Sequence, residues 1–337
     1  MTATPETEPL LDIQDLHVRF PVRRNLLGRT TVENHAVSGV DLALRSGETL
    51  GLVGESGCGK TTLGRTIVGA QEATSGSIRY DGNDLTRLKN REKGRYRRQI
   101  RMVFQDPFSS LNPRMTLRQV IGDPLVAMGE AKGSELEDRV AEMMRRVGLS
   151  PDYMDRYPHA FSGGQRQRVN IARALIVDPK LVIADEPVSA LDVSVRAQIL
   201  NLLRELQDEY GLTYLFISHD LSVVENIADR VAVMYFGKIV ELADTAELYE
   251  KPAHPYTEAL MSAVPVPDPS LRDRGGRILL ADELPDPSNP PAGCAFAGRC
   301  RYAEPGRCDT GTVDLEGGVR CVRSEELDLR GIELTES

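Results

Sequence analysis

From about residue 10 to residue 250, short β-rich apolar runs alternate with stretches of helical spacing, which is the signature of an α/β fold. The runs predict strands at Thr49–Val53, Ile100–Phe104, Leu181–Ala184, Thr213–Ile217 and Val231–Tyr235. After Lys251 the pattern breaks. Nine of the chain's twenty prolines lie between Lys251 and Pro291, so this stretch reads as an irregular connector with short helices such as Thr257–Val264. The last ~45 residues contain Cys and Gly and are weakly periodic, and a unit that small needs a staple. No internal repeat is visible.

The chain has 337 residues, more than one hydrophobic core usually serves, so two or three structural units are expected. Hydrophobic residues at 41% and charged residues at 27% exclude wholesale disorder. With 41 Lys and Arg against 50 Asp and Glu, the net charge of −9 argues against broad nucleic-acid coating, so no nucleic-acid partner is expected. Any phosphate must be held by a local site. The absence of Trp argues against base-stacking platforms as well. No apolar run approaches the ~18 residues of a membrane span. Met1–Leu10 carries Glu6 and Glu8 and no basic segment, so no signal peptide is expected. Eight Lys and Arg crowd residues 87–101; they form either a solvated face or a surface for anionic lipid or an acidic partner.

Gly54-Glu55-Ser56-Gly57-Cys58-Gly59-Lys60-Thr61 follows the apolar run ending at Val53 and matches G-x-x-x-x-G-K-[ST]. Leu63, Ile67 and Val68 then continue with helical spacing. Strand, glycine-rich turn and helix are the context this phosphate loop requires. The glycines let backbone N–H groups curl around a β-phosphate, and the helix N-terminus adds positive potential. Lys60 is expected to reach the β- and γ-phosphates, and the Thr61 hydroxyl to ligate Mg²⁺. Thr62 completes the ATP-binding stretch. Cys58 reads as a small filler with incidental sensitivity to alkylation.

A phosphate loop needs a second metal anchor on a neighbouring strand. Leu181-Val182-Ile183-Ala184-Asp185-Glu186 supplies two carboxylates at the C-terminal end of a buried strand, where open parallel sheets bind ligands. Asp185 is expected in the Mg²⁺ shell and Glu186 to polarise the attacking water.

Phe161-Ser162-Gly163-Gly164-Gln165-Arg166-Gln167-Arg168 opens a helix running through Val169, Ala172 and Ile176 to Asp178-Pro179. A glycine-rich helix N-terminus is an anion site. The run resembles the signature motif of ABC ATPases. That resemblance implies a P-loop NTPase of the ABC-ATPase fold, with a RecA-like core, a β-subdomain and an inserted helical subdomain. It implies that Ser162, Gly163, Gly164 and Gln165 face the ATP held by a partner subunit. Gln105, after Met102-Val103-Phe104, resembles the Q-loop glutamine that senses Mg²⁺. Ser189-Ala190-Leu191-Asp192 resembles the D-loop, placing Asp192 at the dimer interface. His219, in Ile217-Ser218-His219-Asp220, resembles the switch histidine at the γ-phosphate. Phe20 is a candidate for the aromatic that stacks on adenine, or else a core residue. Pro21–His35 reads as an insertion between it and the sheet.

The match narrows further. Pro107–Arg114 and His254-Pro255-Tyr256-Thr257 resemble the oligopeptide/dipeptide importer branch, and Phe20-Pro21-Val22-Arg23-Arg24 resembles its F-type rather than its D-type ATPase. Phe161 stands where Leu is commoner. The resemblance implies an ATPase domain over 1–251, with the helical subdomain at about 106–165, and a C-terminal extension over 252–337. It implies ATP hydrolysis powering uptake of di- or oligopeptides, at the cytoplasmic face of the membrane. The implied partners are a second, D-type ATPase subunit, two membrane permease subunits and an extracytoplasmic peptide-binding protein. Nickel or another small solute is the alternative cargo. A soluble ABC ATPase acting on ribosomes or DNA is the alternative class, although the single cassette and the lack of heptads speak against it.

Cys294, Cys300, Cys308 and Cys321 are separated by five, seven and twelve residues. In a cytosolic chain four thiolates suit Zn²⁺ or an iron–sulfur cluster better than disulfides. The resemblance assigns such a quartet to a [4Fe–4S] cluster, with Zn²⁺ or free thiols as alternatives. Arg301 stands where that pattern has Pro.

Overall fold

The computed structural model describes residues 8–24, 30–89, 92–106, 110–264, 278–280 and 285–331. The chain forms two compact units: residues 1–45, 49–87 and 218–337, and residues 46–48 and 88–217.

In the first unit, β1 (Leu11–Arg24) and β2 (Thr30–Leu44) make a long antiparallel hairpin. Leu11, Ile13, Leu16 and Val18 of β1 and Val37, Val40, Leu42 and Leu44 of β2 are buried. A bulge at Asp15, whose φ is 44°, lets Ile13 and Leu16 face the same core although they are three residues apart. The described parts of the Pro21–His35 segment continue the ribbon. Pro21 pairs with Glu33, Arg23 with Val32 and Arg24 with Thr30, so they form the outer part of the hairpin. Pro21, Val22 and Arg23 are exposed, so that part of the ribbon has no apolar face to betray a strand.

β3 (Thr49–Val53), wholly buried, leads through the glycine loop into α1 (Lys60–Ile67). β4 (Ser75–Tyr80) pairs with the other edge of β1, and β5 (Asn83–Asp84) with β4.

The second unit begins its regular structure with α2 (Gly94–Gln99) and β6 (Ile100–Val103). The helices α3 (Leu117–Met128), α4 (Ser134–Arg146) and α5 (Gly163–Leu175) follow. Next come β7 (Leu181–Asp185), α6 (Val193–Tyr210) and β8 (Thr213–Ser218). β6, β7 and β8 pair in parallel, and every residue of β7 and β8 is buried, as expected of strands covered on both faces.

The chain returns to the first unit with α7 (Leu221–Glu225), β9 (Arg230–Tyr235), β10 (Lys238–Asp244), α8 (Thr245–Glu250) and α9 (Pro255–Met261). β9 pairs in parallel with β3 and antiparallel with β10. The two starts are pinned together: the Thr49 N–H donates to the Asp229 carboxylate at 2.8 Å, and the Asp229 N–H to the Thr49 carbonyl at 2.9 Å.

The five strands expected from apolar runs are all present; Thr49–Val53 has the bounds expected and each of the other four differs by one residue at one end. The expected helix Thr257–Val264 begins two residues earlier, because Pro255 fits the first helical turn and the His254 ring accepts from the Tyr256 N–H at 3.0 Å. Among the described residues no helix is long and apolar enough to cross a membrane.

The basic run 87–101 is partly engaged. Arg98 bonds the Val177 carbonyl at 3.0 Å and pairs with Glu130 at 3.0 Å, and Arg87 pairs with Asp84. Asn90 and Arg91 lie outside the described residues.

Candidate active site

The first unit carries the phosphate loop, Phe20 and His219. The loop turns sharply at Gly54, where φ is 153°. A side chain here would put Cβ 2.1 Å from the Met234 carbonyl oxygen, so only glycine fits. Lys60 starts α1 almost fully buried, and its ammonium donates to the Gly54 carbonyl at 2.7 Å and the Glu55 carbonyl at 2.8 Å. Ser56 and Gly57 are exposed, and Thr61 and Thr62 are half-buried just inside the helix. Backbone amides, a helix N-terminus and a fixed ammonium are the donor set a polyphosphate needs, so the residues present fit a nucleotide in kind and in arrangement. Cys58 is buried, and burial pushes its thiol up despite the neighbouring Lys60. Buried in this way, Cys58 fills space within the loop. Phe20 is half-buried and pairs with Asn34 across the hairpin, so it is not a full core residue. His219 is exposed after β8, while Asp220 behind it caps α7 by accepting from the Ser222 N–H at 3.0 Å.

The second unit carries Gln105, the two carboxylates, the signature and the D-loop. Asp185 ends β7, nearly fully buried. Glu186 follows in a left-handed backbone conformation, with φ at 46°. Its N–H donates to the Ile217 carbonyl at 2.9 Å, and its carbonyl accepts from the Ser189 hydroxyl at 3.1 Å. With both backbone groups pinned, the side chain has a defined origin. Its carboxylate accepts from the Gln105 amide at 2.7 Å, so the structure brings these two expected residues together. Gln105 is itself placed from α5: the Asn170 amide donates to the Phe104 carbonyl at 3.1 Å. Pro107, Phe108 and Ser109 lie outside the described residues.

Ser162 and Gln165 form a reciprocal capping box at the start of α5. The Ser162 N–H donates to the Gln165 side chain at 3.0 Å, and the Gln165 N–H to the Ser162 hydroxyl at 3.3 Å. A Cβ on Gly164 would sit 2.4 Å from Val195, so glycine lets α5 dock on α6 beside the D-loop. A Cβ on Gly163 would meet only Leu191, at 3.6 Å. Asp192 caps α6, accepting from the Val195 N–H and the Ser194 hydroxyl at 3.0 Å each, and these bonds hold its carboxyl below the usual range.

The segment His254-Pro255-Tyr256-Thr257 braces the phosphate loop. The Tyr256 hydroxyl accepts from the Glu55 N–H of the phosphate loop at 2.8 Å. Buried Glu241 accepts from the N–H groups of Ala253 at 2.7 Å and His254 at 2.9 Å and from the Thr257 hydroxyl, which fixes the start of α9. Burial lowers His254 to about 3, so its ring stays neutral. Arg299, which sequence reasoning missed, bonds both carboxylate oxygens of Glu55. The only hint in the sequence was its place beside Cys300.

Cys294, Cys300, Cys308 and Cys321 line one pocket with His254, Phe296 and Leu327, and all four are free thiols. Burial pushes the Cys294 and Cys321 thiols up, and Cys300 to about 11. Four thiols fit an iron–sulfur cluster in kind. In arrangement they do not: among the described residues no three His, Cys, Asp or Glu side chains are grouped as ligands of a metal ion. The geometry supports neither the expected cluster nor the zinc alternative.

The family model described as ABC transporter matches residues 37–189, which hold the phosphate loop, Gln105, the signature and both carboxylates. A solved dimeric ATP-binding cassette, in a post-hydrolysis state bound to ADP and Pi, aligns with a TM-score of 0.62 and 28% identity over 70% of this chain and 98% of that chain. The chain belongs to the ABC transporter family and is an ABC ATPase. A second model, the C-terminal region of oligopeptide/dipeptide transporters, matches residues 240–308. The oligopeptide transport ATP-binding protein AppF of Bacillus subtilis is 53% identical over 310 residues, covering 90% of this chain and 93% of that protein. The dipeptide transport ATP-binding protein DppF of Haemophilus influenzae is 50% identical over 295 residues, covering 88% and 89%. Within the family the chain therefore stands with the oligopeptide and dipeptide transport ATP-binding proteins.

Proposed function

We propose that this chain is the ATP-hydrolysing subunit of an importer that takes up di- or oligopeptides. The observation that carries the reading is a complete phosphate loop bonded directly by Tyr256, a residue of the peptide-transporter C-terminal region. In this reading the amides of Gly54–Thr61, together with Thr62, cradle the phosphates, Lys60 neutralises developing charge, and Phe20 stacks on adenine. Thr61, Gln105 and Asp185 would hold Mg²⁺, which supplies electrostatic stabilisation of the transferring phosphoryl group. Glu186 orients or deprotonates the attacking water and His219 holds the γ-phosphate.

Ser162, Gly163, Gly164, Gln165 and Asp192 would face the nucleotide of a second ATPase subunit, of the D type, in a heterodimer. Val193, 80% exposed beside Asp192, supports a partner surface at the D-loop. Two membrane permease subunits and an extracytoplasmic peptide-binding protein complete the assembly, with this chain peripheral on the cytoplasmic face. The full-length likeness to peptide-transport ATP-binding proteins favours peptides over nickel or another small solute as cargo. The test is uptake of a labelled tripeptide by cells deleted for this gene. Wild-type chain should restore it and the empty vector should not; restored nickel uptake without peptide uptake would assign the other cargo.

For the cysteine pocket, a [4Fe–4S] cluster held by Cys294, Cys300, Cys308 and Cys321 is retained as a proposal. Its support is the chemistry of four thiols lining one apolar pocket, not their arrangement. Anaerobically purified protein should then contain about four iron and four sulfide per chain and absorb near ~400 nm. Colourless protein, with or without stoichiometric zinc, would overturn it.

A further inference from the structure

The phosphate loop contains a carboxylate, Glu55, beside the place where a polyanion is to bind. An unpaired carboxylate there would repel phosphate. Glu55 is not unpaired. The Arg299 guanidinium donates to one of its oxygens at 2.7 Å and to the other at 3.0 Å, a bidentate pair whose arginine side chain is 8% exposed. At that exposure, salt screens the pair little. The guanidinium also lies 5.8 Å from the Tyr235 ring centroid and bonds the Tyr235 hydroxyl at 3.4 Å.

The backbone of Glu55 is held as well. Its N–H goes to the Tyr256 hydroxyl at 2.8 Å, and its carbonyl receives the Lys60 ammonium at 2.8 Å. The loop is thus gripped from the C-terminal region at one residue, and that same residue bonds the lysine.

Arg299 stands on a single turn, Ala297–Arg299, between two of the four thiols. The turn is tied to the thiol pocket. The Ala297 N–H donates to the Cys294 carbonyl at 3.0 Å, and the Cys294 N–H to the Cys308 carbonyl at 2.8 Å. Phe296, which lines the pocket, packs its ring 5.3 Å from Tyr235 and 5.4 Å from Tyr256. A continuous packed path runs from the thiols through Phe296 and Arg299 to Glu55 and Lys60.

We propose that Arg299 is a positioning residue for the nucleotide site, cancelling the charge of Glu55 and tying the phosphate loop to the packing of the four-thiol pocket. The inference rests on the reading that the loop of Gly54–Thr61 binds nucleotide. It makes the C-terminal region part of the nucleotide site's support, whatever the thiols bind.

The test measures MgATP affinity by equilibrium dialysis and steady-state KM and kcat on the full chain, with thermal unfolding recorded for every variant. Arg299→Ala should weaken MgATP binding about tenfold and raise KM by a similar factor, with a smaller loss in kcat. Arg299→Lys, which keeps the charge but not the fork, should lie between. Adding Glu55→Gln to Arg299→Ala removes the stranded carboxylate and should restore most of the affinity, a rescue that a purely structural role would not give. Cys294→Ala with Cys308→Ala should weaken binding about threefold in wild type and leave the Arg299→Ala, Glu55→Gln background unmoved. Wild-type affinity in a folded Arg299→Ala, no rescue by Glu55→Gln, or thiol effects of equal size in both backgrounds would each overturn the proposal. Wild-type chain that binds no MgATP would instead sink the nucleotide reading, so the two failures are distinguishable.

Discussion

Glu186→Gln should bind MgATP within a few-fold of wild type and lower kcat by about 10²–10⁴, the range a positioned general base supplies. Gln is isosteric with Glu, so the side-chain amide oxygen can still accept from Gln105 as the Glu186 carboxylate does at 2.7 Å. The backbone restraints, Glu186 N–H to Ile217 and Ser189 hydroxyl to Glu186, do not involve the side chain and survive. What disappears is the negative charge that, in the proposed mechanism, polarises water. Because the fold and the phosphate loop are untouched, the loss should fall on turnover and not on binding. With hydrolysis blocked, ATP should also hold the closed dimer together, visible as an ATP-dependent shift in size by light scattering in the presence of the partner subunit. Wild-type-like turnover in this variant would remove Glu186 from the base role.

The contrast between Glu186 and Arg299 shows what a sequence discloses. Glu186 follows a run of apolar residues buried on both faces, and a pair of acids at such a strand end has few readings. The same continuity made β3, β8 and β9 legible, because burial on both faces leaves an unbroken apolar signal. The far part of the β1–β2 hairpin gave no strand signal because Pro21, Val22 and Arg23 are exposed there and cover no core. Local motifs were legible for a related reason: Ser162 and Gln165, or Gly54 and Lys60, act on one another within a few residues. Contacts across great sequence distance leave no such trace. Arg299 and Glu55 are 244 residues apart, and Tyr256 and Glu55 are 201 apart. Neither arginine nor glutamate has a neighbour in sequence that announces the pair. The cysteine quartet is the intermediate case, since its spacing announced a cluster of thiols, and the fold does collect them in one pocket, but spacing does not fix how their sulfurs converge.

Lys60→Ala should cost about 10²-fold or more in MgATP affinity, and ATPase activity should fall to background. The ammonium has three donors. Two go to the Gly54 and Glu55 carbonyls at 2.7 and 2.8 Å, and these bonds aim the side chain across the loop. The third faces the Cys58 sulfur at 3.7 Å, a weak acceptor that a phosphate oxygen readily displaces. Substituting Ala removes that charge-assisted bond, worth about 1.5–3 kcal/mol, or roughly 10–150-fold in affinity. It also leaves the Gly54 carbonyl, at the sharp turn of the loop, and the Glu55 carbonyl without their shared donor. The loop then loses both a ligand and an internal brace, which places the expected loss at the upper end of that range. Lys60→Arg should not repair it, because Lys60 is almost fully buried and a planar fork does not reproduce the compact three-donor ammonium. The measurement is equilibrium dialysis of MgATP against wild type, Lys60→Ala and Glu186→Gln side by side. The lysine variant should bind about 10²-fold more weakly, whereas the glutamate variant should bind and fail to turn over. If Lys60→Ala retained wild-type affinity, the phosphates would have to be held elsewhere and the loop of Gly54–Thr61 would lose its assigned role.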